Sequence, residues 1–218
     1  MILNKHLEII SDDVERVCGT MHELTPFRLM MKSEGLNEYA ADGAYNDGEI
    51  VDFTYESSLR QGPQNLYELG LKYYSGEGDI KVKKDTALTY FAMAGALNHV
   101  LGMVNAGMMF LIGEGTEANY AEAFYWFAMA ANQKNERGLF YIADFYMTGR
   151  GIVEENHSIA AKFYTLSGAY GSEAALYNLG VLKLHGDGIE KNEDEALLLI
   201  RLAAEKGYEP AMNALKSE

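Results

Sequence analysis

Leu69-Gly70-Leu71-Lys72-Tyr73-Tyr74-Ser75-Gly76-Glu77-Gly78 is followed, eight residues on, by Thr86-Ala87-Leu88-Thr89-Tyr90-Phe91-Ala92-Met93-Ala94. The arrangement then returns three times. Glycine pairs stand at Gly76/Gly78, Gly113/Gly115, Gly149/Gly151 and Gly186/Gly188, their first members 37, 36 and 37 residues apart. Six residues before each pair is a small residue (Gly70, Gly107, Ala143, Gly180), preceded by an apolar one (Leu69, Ala106, Ile142, Leu179). Three residues after the small one come Tyr73, Phe110 and Tyr146, with Lys183 as a departure. Past each pair lies Ala87, Ala123, Ala160 or Ala196. Three and four residues further are Tyr90-Phe91, Trp126-Phe127, Phe163-Tyr164 and Leu199-Ile200. Seven further are Ala94, Ala130, Ser167 and Ala203.

An i, i+3, i+4, i+7 spacing is one face of a helix. Each unit therefore holds a helix A (Asn65 to Ser75 in the first), a glycine turn, and a helix B (Asp85 to Leu97). Small residues at Gly70 and Ala87 let the two helices approach, and the aromatics fill the space beside them. The first glycine of each pair ends a helix in the left-handed conformation, and the second permits a tight return. Ordering one such unit costs roughly 40 to 70 kcal/mol, at about 1 to 2 per residue. One helix pair cannot offset that, but stacked pairs can, because each presents an apolar face to the next.

Leu69-Gly70-x-x-Tyr73 with Ala87-x-x-x-Phe91 is similar to the tetratricopeptide pattern. The longer period, with added residues at the glycine pair, resembles the Sel-one-like repeat family. Ala123-Phe124-Tyr125-Trp126-Phe127-Ala128-Met129-Ala130-Ala131 carries that resemblance most closely. It implies an all-α fold, a right-handed α-solenoid of antiparallel helix pairs, with four repeats over about residues 64 to 210. It also implies an interaction scaffold that binds a partner protein or peptide in a concave groove lined by helix A. Groove positions, carried over from tetratricopeptide arrays, lie three before, one after and four after the small residue. They are Tyr67, Leu71, Tyr74; Val104, Met108, Leu111; Phe140, Asp144, Met147; and Tyr177, Val181, Leu184. Tyr74, Met108, Asp144, Met147 and Val181 are the candidate partner-binding residues. Tyr67, Phe140 and Tyr177 serve either the groove or the stacking of repeats.

The ends depart from this frame. Leu7, Ile10, Val14 and Val17 follow helical spacing and predict capping helices over residues 1–34. Residues 35–63 are expected to hold a degenerate repeat, in which Tyr45-Asn46-Asp47-Gly48 imitates the end of helix A. Residues 209–218, with Ala211, Ala214 and Leu215, begin another helix A. That segment is either a C-terminal cap or a stacking face through which the chain self-associates.

Composition narrows the partners. Lys and Arg number 18 against 32 Asp and Glu, a net charge of −14. Phosphate neutralisation drives nucleic-acid binding, so no nucleic-acid partner is expected, nor an anionic membrane surface. A basic protein partner fits. No stretch approaches 18 apolar residues, so no membrane span is expected. Met1 to His6 lack the pattern of a secretory signal, and the one cysteine, Cys18, excludes an internal disulfide. A cytoplasmic location suits both.

Chemistry is hard to find. His6, His22, His99, His157 and His185 are scattered, with no HExxH and no i, i+4 pair, so no metal site is expected. An EF-hand loop around Asp47-Gly48 fails, since its first, third and twelfth positions would be Gly43, Tyr45 and Thr54. None of the glycine pairs continues as a phosphate loop. Some members of the resembled family act on β-lactams, yet this chain has neither Ser-x-x-Lys nor Lys-Thr-Gly. No catalytic residue and no cofactor are expected. The rivals to a scaffold are an enzyme with an unrecognised site and a self-associating architectural protein.

Overall fold

The computed structural model describes residues 45–46, 49–50, 62–78 and 80–216. From residue 62 onward these are helical: α1 (Pro63–Ser75), α2 (Lys84–Ala96), α3 (Val100–Ile112), α4 (Tyr120–Asn132), α5 (Glu136–Thr148), α6 (His157–Ala169), α7 (Glu173–His185), α8 (Glu193–Glu205) and the short α9 (Glu209–Ala214). The fold class is all-α, consecutive helix pairs of the solenoid type, as the spacing predicts. Helix α1 starts two residues before Asn65. Pro63 takes a first-turn position, where its missing N–H is no loss. The helices fall into two compact units, with the boundary inside α4 between Trp126 and Phe127.

Each of α1 to α8 is 13 residues long. Every B-to-A connector has three residues: 97–99, 133–135, 170–172 and 206–208. Only the A-to-B turn varies. It spans eight residues at 76–83 and 149–156, and seven at 113–119 and 186–192. That single residue is the whole alternation between 37 and 36.

The turn tolerates the change because it is clamped at both ends. Gly76, Gly113, Gly149 and Gly186 are left-handed (φ 75°, 72°, 58° and 73°). The next N–H folds back onto the helix, from Glu77, Glu114, Arg150 and Asp187 to the carbonyls of Lys72, Met109, Phe145 and Leu182. At the far end the N–H of Lys83, Asn119, Asn156 or Asn192 donates to the carbonyl of Tyr73, Phe110, Tyr146 or Lys183, at 2.7–2.9 Å. The extra residue sits between the clamps. Three of those far-end residues also cap helix B. The Asn119, Asn156 and Asn192 side chains accept from the N–H of Glu122, Ile159 and Glu195 at 3.0–3.1 Å.

The small positions are closed to solvent. Ala87, Ala123, Ala160 and Ala196 are fully buried, as are Ala94, Ala130, Ser167 and Ala203. Ser167 keeps its hydroxyl satisfied by donating to the Glu136 carbonyl at 2.7 Å. A Cβ on Gly70 would lie 2.6 Å from the Phe91 ring. A Cβ on Gly138 would lie 2.7 Å from the backbone nitrogen of Ala131, where nothing can rotate away. Tyr73 stacks on Tyr90 at 5.5 Å and Tyr146 on Phe163 at 6.0 Å. In the fourth repeat Lys183 replaces that pair with a 2.6 Å ion pair to Glu195. Helix α9 buries Ala211 against Leu176, Ile200 and Ala203.

One expectation is corrected. Tyr45–Asn46 is not a helix A ending but pairs antiparallel with Glu49–Ile50, in the register Tyr45↔Ile50 and Asn46↔Glu49. That register leaves Asp-Gly between the strands, the two-residue sequence that favours a hairpin over a helix stop. The capping helices expected over 1–34 lie outside the described residues, as do residues 35–44, 47–48 and 51–61 of the expected repeat, while Gly62 and Pro63 at its end already belong to the start of α1.

Candidate partner-binding surface

The helix-A positions diverge once their packing is visible. In the unit that ends at Trp126, Tyr67 on α1 is half-buried. It stacks on His99 with ring centroids 4.5 Å apart, and meets Phe91 at 5.7 Å. His99 caps α3 by accepting from Gly102 N–H at Nδ1, while Nε2 lies 3.0 Å from the Gln64 side-chain oxygen. Burial lowers the His99 pKa, which suits this neutral tautomer. Val104 is fully buried and cannot meet a partner, contrary to its expected groove position. Met108 on α3 is half-buried.

Tyr74 is exposed but engaged. Its hydroxyl donates to Glu114 at 2.8 Å, and the Lys84 ammonium sits 3.1 Å from its ring centroid. Lys84 and Glu114 close the triangle at 3.0 Å. The Tyr74 hydrogen bond first, and Lys84 after it, hold the Glu114 carboxyl below the usual range. Tyr74 therefore fastens the second glycine turn to the start of α2, so its ring is less available to a ligand.

In the unit that includes Phe127 onward, the six predicted positions Phe140, Asp144, Met147, Tyr177, Val181 and Leu184 are all half-buried. Tyr177 meets Tyr208 at 5.5 Å, and Phe140 meets Tyr164 at 5.7 Å. Asp144 lies one helical turn after Phe140 on α5. Burial pushes the Asp144 carboxyl up, and the charge of Arg150 only partly offsets it. Burial first, and Asp144 among lesser causes, push the Tyr164 hydroxyl up to about 12. Tyr164 reads in the sequence as part of the helix-B stacking face, and its burial agrees with that.

A second recurring feature was also missed. His157, first residue of α6, is 2.6 Å from Asp187 and 3.1 Å from Glu155. Asp187 stands between the glycines of its turn, as Glu114 does in the Tyr74 triangle. In both cases an acid in the glycine turn of one repeat grips a base at the start of the preceding helix B. Among the described residues, no group of three or more His, Cys, Asp or Glu could hold a metal ion. No described helix is long and apolar enough to cross a membrane.

Four segments, 66–99, 100–135, 137–169 and 173–208, match the Sel1 repeat. The chain belongs to the Sel1 repeat family. An uncharacterized protein of Neisseria meningitidis serogroup B is 29% identical over 188 residues, 84% of this chain and 38% of the relative. Chitin synthase regulatory factor 2 of Schizosaccharomyces pombe is 28% identical over 155 residues, 67% of this chain and 30% of the relative. The chain thus spans well under half the length of the curated relatives it matches. Among solved structures, a Sel1 repeat protein from Oxalobacter formigenes superposes with a TM-score of 0.65 at 25% identity, covering 70% of this chain and 61% of that one. The protective antigen c5321 of uropathogenic Escherichia coli, described as displaying the same repeat fold, superposes with a TM-score of 0.66 at 26% identity, covering 79% and 37%. Sel1 repeats are protein–protein interaction modules, and the chain carries four of them.

Proposed function

We propose that this Sel1 repeat chain is a scaffold that holds another protein by an extended segment laid along helix-A side chains. The observation that carries the reading is the half-buried row Phe140, Asp144, Met147, Tyr177 and Val181. These side chains keep apolar and aromatic area within reach of solvent although the small positions beside them are sealed. Aromatic and methionine side chains suit a surface that buries a peptide. Met108 and Tyr67 offer similar material in the other unit. Tyr74 contributes least, because Lys84 and Glu114 occupy it. The name of the fission-yeast relative, a regulatory factor of chitin synthase, describes a role exercised on another protein and fits such a scaffold. A single cysteine suits a reducing compartment, the cytoplasm included.

Capture from the native cell followed by mass spectrometry tests the reading. The double replacement Met147→Asp and Val181→Asp is expected to abolish capture while leaving the helical circular dichroism unchanged, since neither side chain is sealed in the core. Capture that survives both changes would place the docking surface elsewhere.

A further inference from the structure

The residues that open a helix A after each three-residue connector are, in phase, His99, Asn135, Ser172 and Tyr208. Asn135 and Ser172 cap α5 and α7 with side-chain oxygens that do not titrate near neutral pH. His99 caps α3 with an atom that does: its Nδ1 accepts the Gly102 N–H at 3.1 Å. A neutral imidazole accepting at Nδ1 carries its proton at Nε2. Nε2 therefore donates to the Gln64 side-chain oxygen at 3.0 Å, and the Gln64 amide nitrogen donates in turn to Glu68 at 2.9 Å. Tyr67 stacks on the same imidazole at 4.5 Å. We infer that His99 is an acid-sensitive cap: a proton on Nδ1 ends its acceptance from Gly102, frees the start of α3 and unstacks Tyr67.

The geometry opposes an imidazolium. Both ring nitrogens would then be donors, and Nδ1–H would face the Gly102 N–H, leaving that first-turn donor without an acceptor. The positive end of α3 lies at the same place and disfavours a cation. Two neighbours pull the other way, the Tyr67 ring by stacking and Glu68 by its charge, relayed through Gln64. Burial prevails over them, and the His99 pKa is lowered. Tyr67 and Glu68 are the titratable groups that α1 turns toward the ring. The last turn of α2, the connector and the first turn of α3 contain none besides His99 itself.

A histidine whose folded pKa lies below its unfolded value, near 6.5, binds its proton more readily in the unfolded chain. Its contribution to stability is whole above about pH 6.5 and is lost as pH falls toward the folded value. His157 shifts in the opposite direction, so acid loosens α3 in one unit while favouring the turn contact in the other. A whole-molecule Tm would mix the two signs, and the test must read α3 alone.

Amide exchange of the full chain, followed by NMR at about pH 7.5 and about pH 5.5 and corrected for intrinsic rates, gives that reading. Gly102 is expected to lose protection roughly two- to tenfold in acid, as the loss of one hydrogen bond implies. Gly138 and Ala175, held by Asn135 and Ser172, should keep theirs. The variant His99→Asn copies the Asn135 cap. It should retain the helical circular dichroism and abolish the pH response at Gly102; should it fail to fold, His99→Ser, after Ser172, takes its place. In the wild-type chain the His99 nitrogen-15 shifts should report the Nε2–H tautomer and a titration midpoint below 6.5. Overhauser contacts between the Tyr67 and His99 rings should fade with the same midpoint. Equal Gly102 protection at both pH values, a loss that persists in the variant, a midpoint at or above 6.5, or ring contacts that survive protonation would each overturn the inference.

Discussion

Lys134 holds a backbone conformation that its neighbours in phase assign to better-suited residues. In the middle of each three-residue connector stands a left-handed residue: Asn98, Lys134, Gly171 and Gly207, with φ of 71°, 60°, 111° and 91°. A side chain there costs about 1–2 kcal/mol, and glycine's extra freedom when unfolded returns about half of that. Lys134→Gly is therefore expected to raise the unfolding free energy by about 0.5–1 kcal/mol, read from the urea midpoint. A fall would mean that the lysine side chain contributes more than its backbone strain removes. The helix-B caps give the converse case. Asn156→Ala should cost about 1 kcal/mol, while Lys83→Asn, which supplies a cap where the first repeat has no side-chain one, should add a similar amount. Alanine and glycine at the crossings were legible because volume alone constrains them, and identity reports volume. The strain at Lys134 was not, since lysine gives no hint of positive φ. Val104 was misread for a related reason. Its short branched side chain stays beneath the surface that Tyr67, Phe140 and Tyr177 reach with their rings.

Between elements, the glycine turns act as latches. A Cβ on Gly115 would lie 2.5 Å from the Lys84 carbonyl, and one on Gly188 would overlap the His157 backbone. Only glycine lets the turn seat against the start of the helix B before it, and the acid beside that glycine then pairs with its base. Gly188→Ala combines steric overlap with a left-handed φ and is expected to destabilise by about 2 kcal/mol or more, seen as a lowered urea midpoint. The His157 latch should respond to pH. Its hydrogen bond to Asp187 first, and the charges of Asp187 and Glu155 after it, raise the His157 pKa. A raised histidine pKa adds stability that is complete below the unfolded value, near 6.5, and is lost as pH climbs through the folded value. The wild-type advantage over His157→Gln should thus shrink between about pH 6 and pH 8, and stay within about 1 kcal/mol because the pair is partly solvated. A Tm difference that is flat across that window would refute the linkage. The latches escaped the sequence reading because their partners lie 30 residues apart, and an acid in a turn looks like ordinary solvent-facing charge.

Across the molecule, the repeat was legible from residue 64 to 210 because four phased copies reinforce one another. The region before it was not, since Asp-Gly speaks for a hairpin as readily as for a helix stop. The register of the helix-A positions was legible from the repeat, and their exposure was not, since it depends on how far each side chain reaches. The acidic surface leaves its own mark on recognition. If the captured partner is basic, raising salt from about 0.05 to 0.5 M should weaken capture several-fold, as screening shortens to a few ångströms. Capture insensitive to salt would point to apolar contact alone. The uniform helix length has a consequence for how such a chain can change over generations. Because α1 to α8 and the B-to-A connectors keep their size, a copied stretch of 36 or 37 residues taken from among them re-enters the array in phase, wherever its breakpoints fall. Misaligned recombination within the gene can therefore lengthen or shorten the protein without breaking a helix, whereas an insertion of a few codons is absorbed only in the A-to-B turns.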